Sequence, residues 1–432
     1  MTWTRNRPLR AVAEVALGRQ RSPQHADGPH MVRYLRAANV KDGSIDLNDV
    51  QLMNFTPDEQ RIFGLRAGDV LVTEGSGSLT SVGASAVWRG ELDGPLCFQN
   101  TLLRLRPRDG VDGRFLGWWA RSAFGSGLFA SLAGGANIYH LSAERVRTIR
   151  IDVPPPDEQR RIADFLDAET ARIDALISKR DTQLTLLSER LSTSIFLGIT
   201  GAKERGGRRF SGATWLGSIP EDWPVVPIGY QFEVLLGKML NQERARGKNL
   251  KPYLRNTNVQ WDYITVDDLL MMDFPPKEQD RYRVLPGDLL VCEGGEPGRA
   301  AIWNGEVAEI YYQKALHRVR PRGYSSSRWL FYCLRAATAL NVFAVEGNTT
   351  TIAHLTGEQM RAHRLPFPAR DTQDRIAGLL DDLSAQHYMT KETLSRQQRL
   401  LNERRQVLIT AAVTGQIDVS TMSGQAIEEE LS

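Results

Sequence analysis

Hydrophobic and polar positions follow two different periods along this chain, and the order of the two periods occurs twice. Short apolar runs beside glycine turns, such as residues 69–72 and 288–291, are typical of strands. After residues 156 and 370, apolar residues instead recur every three or four positions, with further spacings of seven and eight. The pattern therefore predicts two mixed regions of strands and short helices, each followed by a long helix.

Each long segment predicts one helix of roughly 40 residues, because proline is absent and glycine is nearly absent from it. Asp157 and Asp371 are candidate N-caps. A seam interrupted only by weak polar breaks, at Arg180 and His387, predicts that the two helices pack on each other as a coiled coil. The residues predicted to pack are Ile162, Leu166, Ile173, Leu176, Leu184, Leu187, Leu191, Ile376, Leu380, Leu383, Leu394, Leu401 and Leu408.

The chain is an internal duplication. At an offset of 219 residues, Tyr-Leu-Arg at 34–36 matches 253–255, and at an offset of 214, Thr-Gly at 200–201 matches 414–415. Matches continue between and around these positions over nearly all of each half. The predicted fold class is α+β, with two mixed α/β domains in tandem and two long helices. The predicted boundaries are 1–153 and 202–368 for the domains, 154–201 and 369–418 for the helices, and 419–432 for a flexible acidic tail.

The net charge of +3 conceals an alternation along the chain. Residues 1–150 carry 19 basic against 14 acidic side chains, and residues 202–364 carry 22 against 18. Residues 151–201 and 365–432 carry 6 against 9 and 7 against 10. Every cation of the first region except Lys41 is an arginine, which suits bidentate recognition of phosphate or guanine. A coding bias toward arginine explains that choice equally well.

Motifs for catalysis are missing from the sequence. Asp69 and Glu74 resemble the acidic pair of a magnesium-dependent nuclease, but Ser76, and Gly295 in the second copy, stand where that chemistry requires lysine. No phosphate-binding glycine loop occurs, and none of the seven histidines lies at metal-ligand spacing from another ligand. We therefore predict no catalytic residue and no metal site in this chain.

The cysteines and the apolar runs favour a cytoplasmic protein. Cys97, Cys292 and Cys333 are too widely separated for a disulfide framework. No apolar run approaches the length that crosses a bilayer, and charged residues interrupt the first segment, unlike a signal peptide. These features predict a reduced, cytoplasmic protein.

Loops at equivalent positions of the two copies differ in their polar residues. Residues 75–80 differ from 294–299, and residues 137–139 differ from 350–352. A shared scaffold with divergent polar loops is what two modules that read different base sequences require. Neutral drift of surface loops explains a difference at any single position about as well. The candidate DNA-contacting residues are Arg36, Asn39, Ser76, Ser78, Thr80, Gln99, Asn100, Asn137, Tyr139, Arg255, Asn256, Asn258, Arg299, Gln313, Lys314, Asn348, Thr349 and Thr350.

Four features in their order along a duplicated chain resemble the specificity subunits of type I restriction–modification enzymes. They are Trp-Leu-Gly-Ser-Ile-Pro-Glu-Asp-Trp at 215–223, the Gly-Asp runs at 68–72 and 287–291, Pro-Pro-Asp-Glu-Gln-Arg-Arg-Ile-Ala at 155–163, and Val-Thr-Gly-Gln-Ile-Asp at 413–418. The resemblance covers essentially the whole chain. One departure is the N-terminus, where only Met1-Thr2-Trp3 matches the lead-in to the second copy.

The resemblance implies a non-catalytic DNA-recognition subunit of a multisubunit methyltransferase and endonuclease. Its two target-recognition domains would each read one half of a bipartite DNA site. Its two long helices would pack antiparallel, fix the spacer and carry two modification (methyltransferase) subunits. S-adenosylmethionine, ATP and magnesium would belong to modification and restriction subunits, so this chain would hold no cofactor.

Other classes of function stay open from sequence alone. One is a coiled-coil adaptor that uses its two domains to bind proteins, and another is a fused recognition–nuclease protein. Within the resembled family, a system that methylates DNA without cleaving it fits the sequence equally well.

Overall fold

The computed structural model describes residues 3–135, 137–239, 247–345 and 354–419. The chain divides into two compact units, unit 1 (Met1–Arg180 with Ser395–Ser432) and unit 2 (Asp181–Leu394). The division cuts both long helices, so each unit combines one α/β region with part of each helix. The linear domain boundaries drawn from the sequence remain a prediction.

Unit 1 consists of short strands, short helices and one part of each long helix. Its strands are β1 (Thr4–Pro8), β2 (Ala13–Leu17), β3 (Met31–Leu35), β4 (Val40–Lys41), β5 (Ser44–Ile45), β6 (Gln51–Asn54), β7 (Val70–Thr73), β8 (Gly75–Ser76), β9 (Ser85–Val87), β10 (Leu96–Phe98), β11 (Leu102–Pro107), β12 (Tyr139–His140) and β13 (Arg150–Val153). Its helices are α1 (Pro57–Phe63), α2 (Gly113–Gly125), α3 (Leu128–Leu132), α4 (Ala143–Thr148) and the first part of α5 (Pro156–Ile199).

An antiparallel sheet with the strand order β2–β11–β7–β9 forms the centre of unit 1. Every residue of β7 is buried, because Val70 and Val72 face one apolar cluster while Leu71 faces another. A second sheet has the order β10–β3–β6, with β10 parallel to β3. Helix α2 begins at the N-cap Asp112, whose carboxylate accepts hydrogen bonds from two backbone N–H groups, and its apolar side packs in the first cluster.

Unit 2 has the corresponding elements. Its strands are β14 (Arg208–Phe210), β15 (Ser218–Pro220), β16 (Val225–Pro227), β17 (Phe232–Leu236), β18 (Leu250–Leu254), β19 (Val259–Gln260), β20 (Tyr263–Ile264), β21 (Leu270–Asp273), β22 (Leu289–Cys292), β23 (Ala300–Ile302), β24 (Tyr311–Tyr312), β25 (Leu316–Pro321) and β26 (Arg364–Pro366). Its helices are α6 (Ile228–Gln231), α7 (Pro276–Tyr282), α8 (Ser327–Ala339), α9 (Val342–Val345), α10 (Gly357–Ala362) and the first part of α11 (Arg370–Val413).

The topology of unit 2 repeats that of unit 1. Its central sheet has the order β17–β25–β22–β23, and its second sheet has the order β21–β18–β24, with β18 parallel to β24. The pair β16–β26 corresponds to β1–β13. The predicted duplication and the α+β class are therefore confirmed. The hairpin β14–β15 lies within the lead-in to the second copy.

The two long helices run antiparallel where they meet inside unit 2. Near the end of α5, Gly198 lies against Ile376 and Leu380 of α11. About two turns earlier in α5, Arg190 lines the same cleft as His387, which comes later in α11 than Ile376 and Leu380. In unit 1, Arg405 of α11 donates to Asp174 of α5 at 2.7 Å.

Most residues predicted to pack along the long helices do so, with two exceptions. Leu176 and Leu383 are 43% and 37% exposed, so the prediction is wrong for both. The seam also contains small and β-branched residues that the leucine pattern did not reveal. Buried as predicted are Ile162, Leu166, Ile173, Leu191, Ile376, Leu380 and Leu408. Partly buried are Leu184, Leu187, Leu394 and Leu401, and additional buried residues are Ala163, Ile195, Ile199, Ala377, Ile409, Ala412 and Val413.

The predicted N-caps are also wrong. The helices α5 and α11 begin at Pro156 and Arg370, so Asp157 and Asp371 lie inside the first turn. Their carboxylates still favour the positive end of the helix dipole there.

Buried glutamines fix the start of each long helix. The side chain of Gln159 accepts from the backbone N–H of Asp112 at 2.7 Å and donates to the carbonyl of Pro154 at 2.8 Å. Gln373 makes the matching contacts with Ser326 at 3.0 Å and Pro368 at 2.7 Å. Because each glutamine spans from the long helix to the start of α2 or α8, the α/β region is anchored to its helix in the same way in both units.

Trp3 in unit 1 and Trp223 in unit 2 contact equivalent glycines at the ends of the long helices. Gly415 has a φ of 70°, and a Cβ atom added there would be 3.0 Å from the ring of Trp3. In unit 2, Gly201 has a φ of 60°, and a Cβ atom there would be 2.8 Å from Trp223. Each tryptophan thus closes over a glycine that ends a long helix, and Trp3 takes the role of Trp223.

Within the described residues, no helix combines the length and the apolar character that crossing a membrane requires.

Candidate nucleic-acid interface

Three loops of unit 1 meet at one edge of its sheets, because they follow strands that end side by side. Arg36 follows β3, Glu74 follows β7 and Gln99 follows β10. The hydroxyl of Thr101 accepts from the backbone N–H of Ala37 at 3.0 Å, and the Thr101 carbonyl accepts from the N–H of Glu74 at 2.8 Å. The sequence-predicted Gln99 and Asn100 therefore lie beside Arg36 at this edge, both half-buried.

A hydroxyl-rich loop extends the same edge. Ser76 pairs with Tyr139 across the short β8–β12 ladder, which brings two separate sequence predictions together. Ser78 and Thr80 are exposed, and their hydroxyl oxygens are 2.8 Å apart. Asn137 is exposed in the segment that enters β12. These side chains offer both hydrogen-bond donors and acceptors to a ligand.

The corresponding edge of unit 2 has different chemistry. Gln313 is half-buried and Lys314 is exposed in the turn after β24. Asn256 donates to the carbonyl of Gly294 at 2.9 Å, and Arg299 donates to the carbonyl oxygen of Asn256 at 3.3 Å. The scaffold is shared, since the N–H of Glu293 donates to Ala315 at 2.9 Å as Glu74 does to Thr101.

Unit 1 has an open cleft of about 390 Å³ at this edge. Its lining residues are Ala37, Ala38, Val40, Lys41, Asp42, Thr73, Gly75, Ser76, Thr80, Ser81, Ala84 and Phe124. The sequence prediction included Ser76 and Thr80 but missed Lys41 and Phe124, which only the fold brings to the same cleft.

Three larger side chains stand at the equivalent places in unit 2. Asn256 replaces Ala37 and Trp261 replaces Asp42 in the repeat. Arg299 replaces Ala84, since the carbonyls of both accept from the last residue of β22 and β7, Cys292 and Thr73. The indole of Trp261 donates to Glu296 at 2.9 Å. Aligning the two copies around the loop would have shown this exchange of small for large residues.

Arg36 and Arg255 occupy equivalent positions, and both are held by an ion pair. Arg36 contacts the carboxylate of Asp49, and Arg255 contacts that of Asp268. Both guanidinium groups are partly exposed, so each remains accessible to a ligand at the edge. Whether they contact DNA stays a prediction.

Asn39 and Asn258 have structural roles, contrary to the prediction of DNA contact. They are 2% and 0% exposed. Asn39 accepts from the backbone N–H of Arg36 at 3.0 Å and donates to two carbonyls, and Asn258 makes the matching bond to Arg255 at 2.8 Å. Buried amides with these partners hold the turn after β3 and β18 and cannot reach a base edge.

Three further candidates, Asn348, Thr349 and Thr350, lie outside the described residues.

The acidic residues that resemble a nuclease pair are engaged in internal contacts. Asp69 is 1% exposed and bound by Arg106, and Asp288 is bound by Arg320 in the same way. Glu74 lies 3.2 Å from Nδ1 of His140. In the part of the chain that the structure describes, no three His, Cys, Asp or Glu side chains are grouped to hold a metal ion.

The cysteine thiols are protonated at neutral pH. Burial raises the pKa of Cys97 to about 12 and that of Cys292 to about 11. Burial also raises the pKa of Cys333. Because the thiolate is the reactive form, these side chains act as small apolar groups of the core.

A comparison with protein families matches residues 43–186 and 220–397 to the type I restriction modification DNA specificity domain. The chain is 24% identical over 261 residues to the type I restriction enzyme EcoKI specificity subunit of Escherichia coli strain K12, covering 59% of this chain and 53% of that protein. It is 32% identical over 138 residues to the EcoBI specificity subunit of Escherichia coli, covering 32% and 28%. The matches thus span about half or less of these relatives.

Two solved structures share the fold. A chain from the study "Structural basis underlying complex assembly and conformational transition of the type I R-M system" has a TM-score of 0.68 at 19% identity, covering 96% of this chain and 98% of that one. The HsdS subunit from Thermoanaerobacter tengcongensis has a TM-score of 0.53 at 18% identity, covering 96% and 97%.

Proposed function

Because the chain belongs to the type I restriction modification DNA specificity family, we propose that it is the subunit that gives a multisubunit methyltransferase and endonuclease its DNA sequence specificity. In this proposal the chain itself performs no catalysis. Each α/β region, 1–153 and 202–368, reads one half of a bipartite DNA site. The helices of 154–201 and 369–418 set the spacer and dock the methyltransferase subunits.

The observation that carries the proposal is that the sheet edge where these loops meet occurs in both units with different side chains. Unit 1 offers hydroxyls and a cleft of about 390 Å³ beside Lys41, whereas unit 2 offers Lys314 and Arg299. Serine, threonine and asparagine can bond phosphates or base edges, and lysine and arginine favour guanine and phosphate. Two copies of one scaffold with different side chains at the same edge suit two different half-sites.

The surface of the long helices supports protein docking. Leu186 on α5 and Leu400 on α11 are equivalent in the repeat, and they are 57% and 54% exposed. Covering a large apolar side chain that is exposed at the same position of both copies would favour the binding of a partner. Two equivalent positions suit two copies of one partner, the methyltransferase subunit.

The cofactors of the reaction would then belong to the partners. S-adenosylmethionine is assigned to the methyltransferase subunits, and ATP and magnesium are assigned to restriction subunits where these are present. We also place the complex in the cytoplasm, where its DNA substrate lies.

The experiment is to co-express this chain with the adenine methyltransferase subunit of its own system and to map methylated adenines across the host DNA. A bipartite motif with a fixed spacer is the expected result, and it would supply both half-sites. If no methyltransferase co-purifies and no motif appears, the chain is instead a coiled-coil adaptor that binds other proteins.

A further inference from the structure

In unit 2, α5 and α11 leave a cleft of about 140 Å³ between them. Its lining residues are Leu187, Arg190, Leu191, Ser194, Leu383, Gln386, His387 and Thr390. Arg335 of α8 and Lys391 of α11 lie close enough to His387 that their charges, after burial, lower its pKa. We call this the basic cleft: Arg190 and His387 line it, and Arg335 and Lys391 lie beside it, within electrostatic range of His387.

Arg335 carries a charge that pairs with no described carboxylate. It is half-buried, and it makes no hydrogen bond or ion pair with any residue that the structure describes. Asp262 acts on it electrostatically, but Arg328 already holds both oxygens of that carboxylate. Burial is the main cause that lowers the pKa of Arg335, so the folded chain holds this charge at a cost.

The equivalent arginine in unit 1 is fully paired. Arg121 donates to both oxygens of Asp42, at 2.9 and 3.2 Å. Arg114 is occupied elsewhere, because it donates to Asp164 at 2.7 Å. Gly378 of unit 2 stands where unit 1 has Asp164, so unit 2 has one carboxylate fewer at this place. Arg328 binds the carboxylates that remain there.

The helix seam at the basic cleft also differs between the copies. His387 and Lys391 stand where unit 1 has Ile173 and Ile177, which pack in its apolar cluster. In unit 2 the imidazole Nε2 of His387 is buried without a hydrogen-bond partner among the described residues. A seam that is apolar in one copy therefore holds an unpartnered imidazole nitrogen and a lysine charge in the other.

Arg190, Arg335 and Lys391 make this place positively charged, which favours an anionic ligand, and the surroundings restrict which one. The long helical segments are acidic, with 6 basic against 9 acidic side chains in 151–201 and 7 against 10 in 365–432. A polyanion such as a DNA backbone is repelled by such a surface, whereas a single carboxylate reaches the local cations. Leu187, Leu191 and Leu383 suit the aliphatic stem of a glutamate side chain.

We propose that the basic cleft receives a carboxylate side chain of the methyltransferase subunit. This inference rests on the proposed function and adds an ionic anchor to it in unit 2. The partly exposed Leu383, at the edge of the cleft, is then covered by the same partner. Because unit 1 has isoleucines at this place, the anchor exists in one copy only, so two bound methyltransferase subunits dock through unequal contacts.

The test is a titration of the full-length chain with the purified methyltransferase subunit, in about 50 mM and about 300 mM salt. Arg335→Met keeps the stem and removes the charge. We expect it to raise Kd about tenfold or more at low salt and to reduce the salt dependence. The thermal midpoint of the free chain should stay equal or rise, because an uncompensated buried charge is removed.

A double variant that copies unit 1, His387→Ile with Lys391→Ile, should weaken binding in the same direction. The control Lys277→Ala removes one exposed charge from α7 in unit 2 and should leave Kd unchanged. An unchanged Kd for Arg335→Met overturns the proposal, whatever the thermal midpoint of the variant.

Inorganic phosphate is the second probe. If millimolar phosphate raises the midpoint of the wild-type chain but not of Arg335→Met, while Kd for the methyltransferase is equal in both, the cleft holds a free anion and the proposal is wrong. If the wild-type chain binds no methyltransferase at all, it is the proposed function that fails.

Discussion

Arg106 holds Asp69 through two parallel hydrogen bonds, from Nε to Oδ1 at 2.8 Å and from Nη2 to Oδ2 at 2.7 Å. The Asp69 carboxylate also accepts from the backbone N–H of Arg66 at 2.8 Å. The pair links β11 to the turn that precedes β7, in the centre of unit 1. Arg320 and Asp288 repeat it in unit 2, at 2.6 and 2.7 Å.

Replacing Asp69 by alanine should therefore destabilise unit 1 strongly. The change leaves the partly buried Arg106 without its carboxylate, which typically costs about 3–5 kcal/mol. Urea unfolding followed by tryptophan fluorescence measures the effect. Asp109→Ala, an exposed aspartate nearby, should change the free energy of unfolding by no more than about 0.5 kcal/mol. Equal midpoints for the two variants would contradict the assigned role of the pair.

Substitutions of Arg36 and of its ion-pair partner Asp49 should have different effects on DNA binding. If the Arg36 guanidinium contacts DNA, Arg36→Ala should weaken binding by about 1–3 kcal/mol. Asp49→Ala should then leave the affinity equal or higher, because it removes a carboxylate that competes for the same guanidinium. Binding of a DNA containing the mapped site, measured by fluorescence anisotropy, gives both values. Unchanged affinity in Arg36→Ala with an intact fold would make the pair a structural ion pair.

The sequence revealed the repeat, and with it the shared α/β fold of the two units, because strands and long helices have distinct apolar periods. It could not reveal that Asn39 is buried, since an asparagine that holds a turn and one that reads a base look alike in sequence. Nor did the leucine pattern show that Leu383 is exposed, because exposure depends on the neighbouring helix. The open cleft of unit 1 depends on Ala37 and Ala84 meeting in space, which no linear motif encodes.

Filling that cleft should alter one half-site only. Ala37→Asn with Ala84→Arg introduces into unit 1 the side chains of Asn256 and Arg299. An added arginine beside the hydroxyl loop changes the groups that face the bases, so the half-site read by unit 1 should change or relax. Methylation mapping reports both halves at once, and the other half-site serves as the internal control. An unchanged motif in a folded double variant would place base recognition elsewhere in unit 1.

His317 should make the stability of unit 2 sensitive to mild acid. The ring is fully buried, and its Nε2 lies 2.7 Å from the carbonyl of Leu355, so the neutral ring donates there. Burial lowers the pKa of His317, hence the unfolded chain binds a proton more readily than the folded one. The stability is complete above the unfolded pKa of about 6.5 and is lost as pH falls below it, by at most about 1.4 kcal/mol at pH 5.5.

The matched variant for this effect is His317→Leu, which copies Leu103 of unit 1. Thermal midpoints at about pH 7.5 and pH 5.5 should differ more in the wild-type chain than in the variant. Equal pH dependence in both proteins would mean that His317 protonates as easily when folded as when unfolded.

The length of α5 and α11 should determine the spacer between the half-sites. Each helix has 44 residues, and removing residues 178–184 and 394–400 shortens both by two turns while keeping the apolar seam in phase. At about 1.5 Å per residue the loss is about 10 Å, which equals about three base pairs at 3.4 Å each. Methylation mapping with the shortened chain should give the same two half-sites with a spacer shorter by about that number. Shortening α5 alone unbalances the pair and should abolish methylation. If the spacer kept its length while both half-sites remained, the helices would not set the spacer, and the partner subunits would have to fix its length.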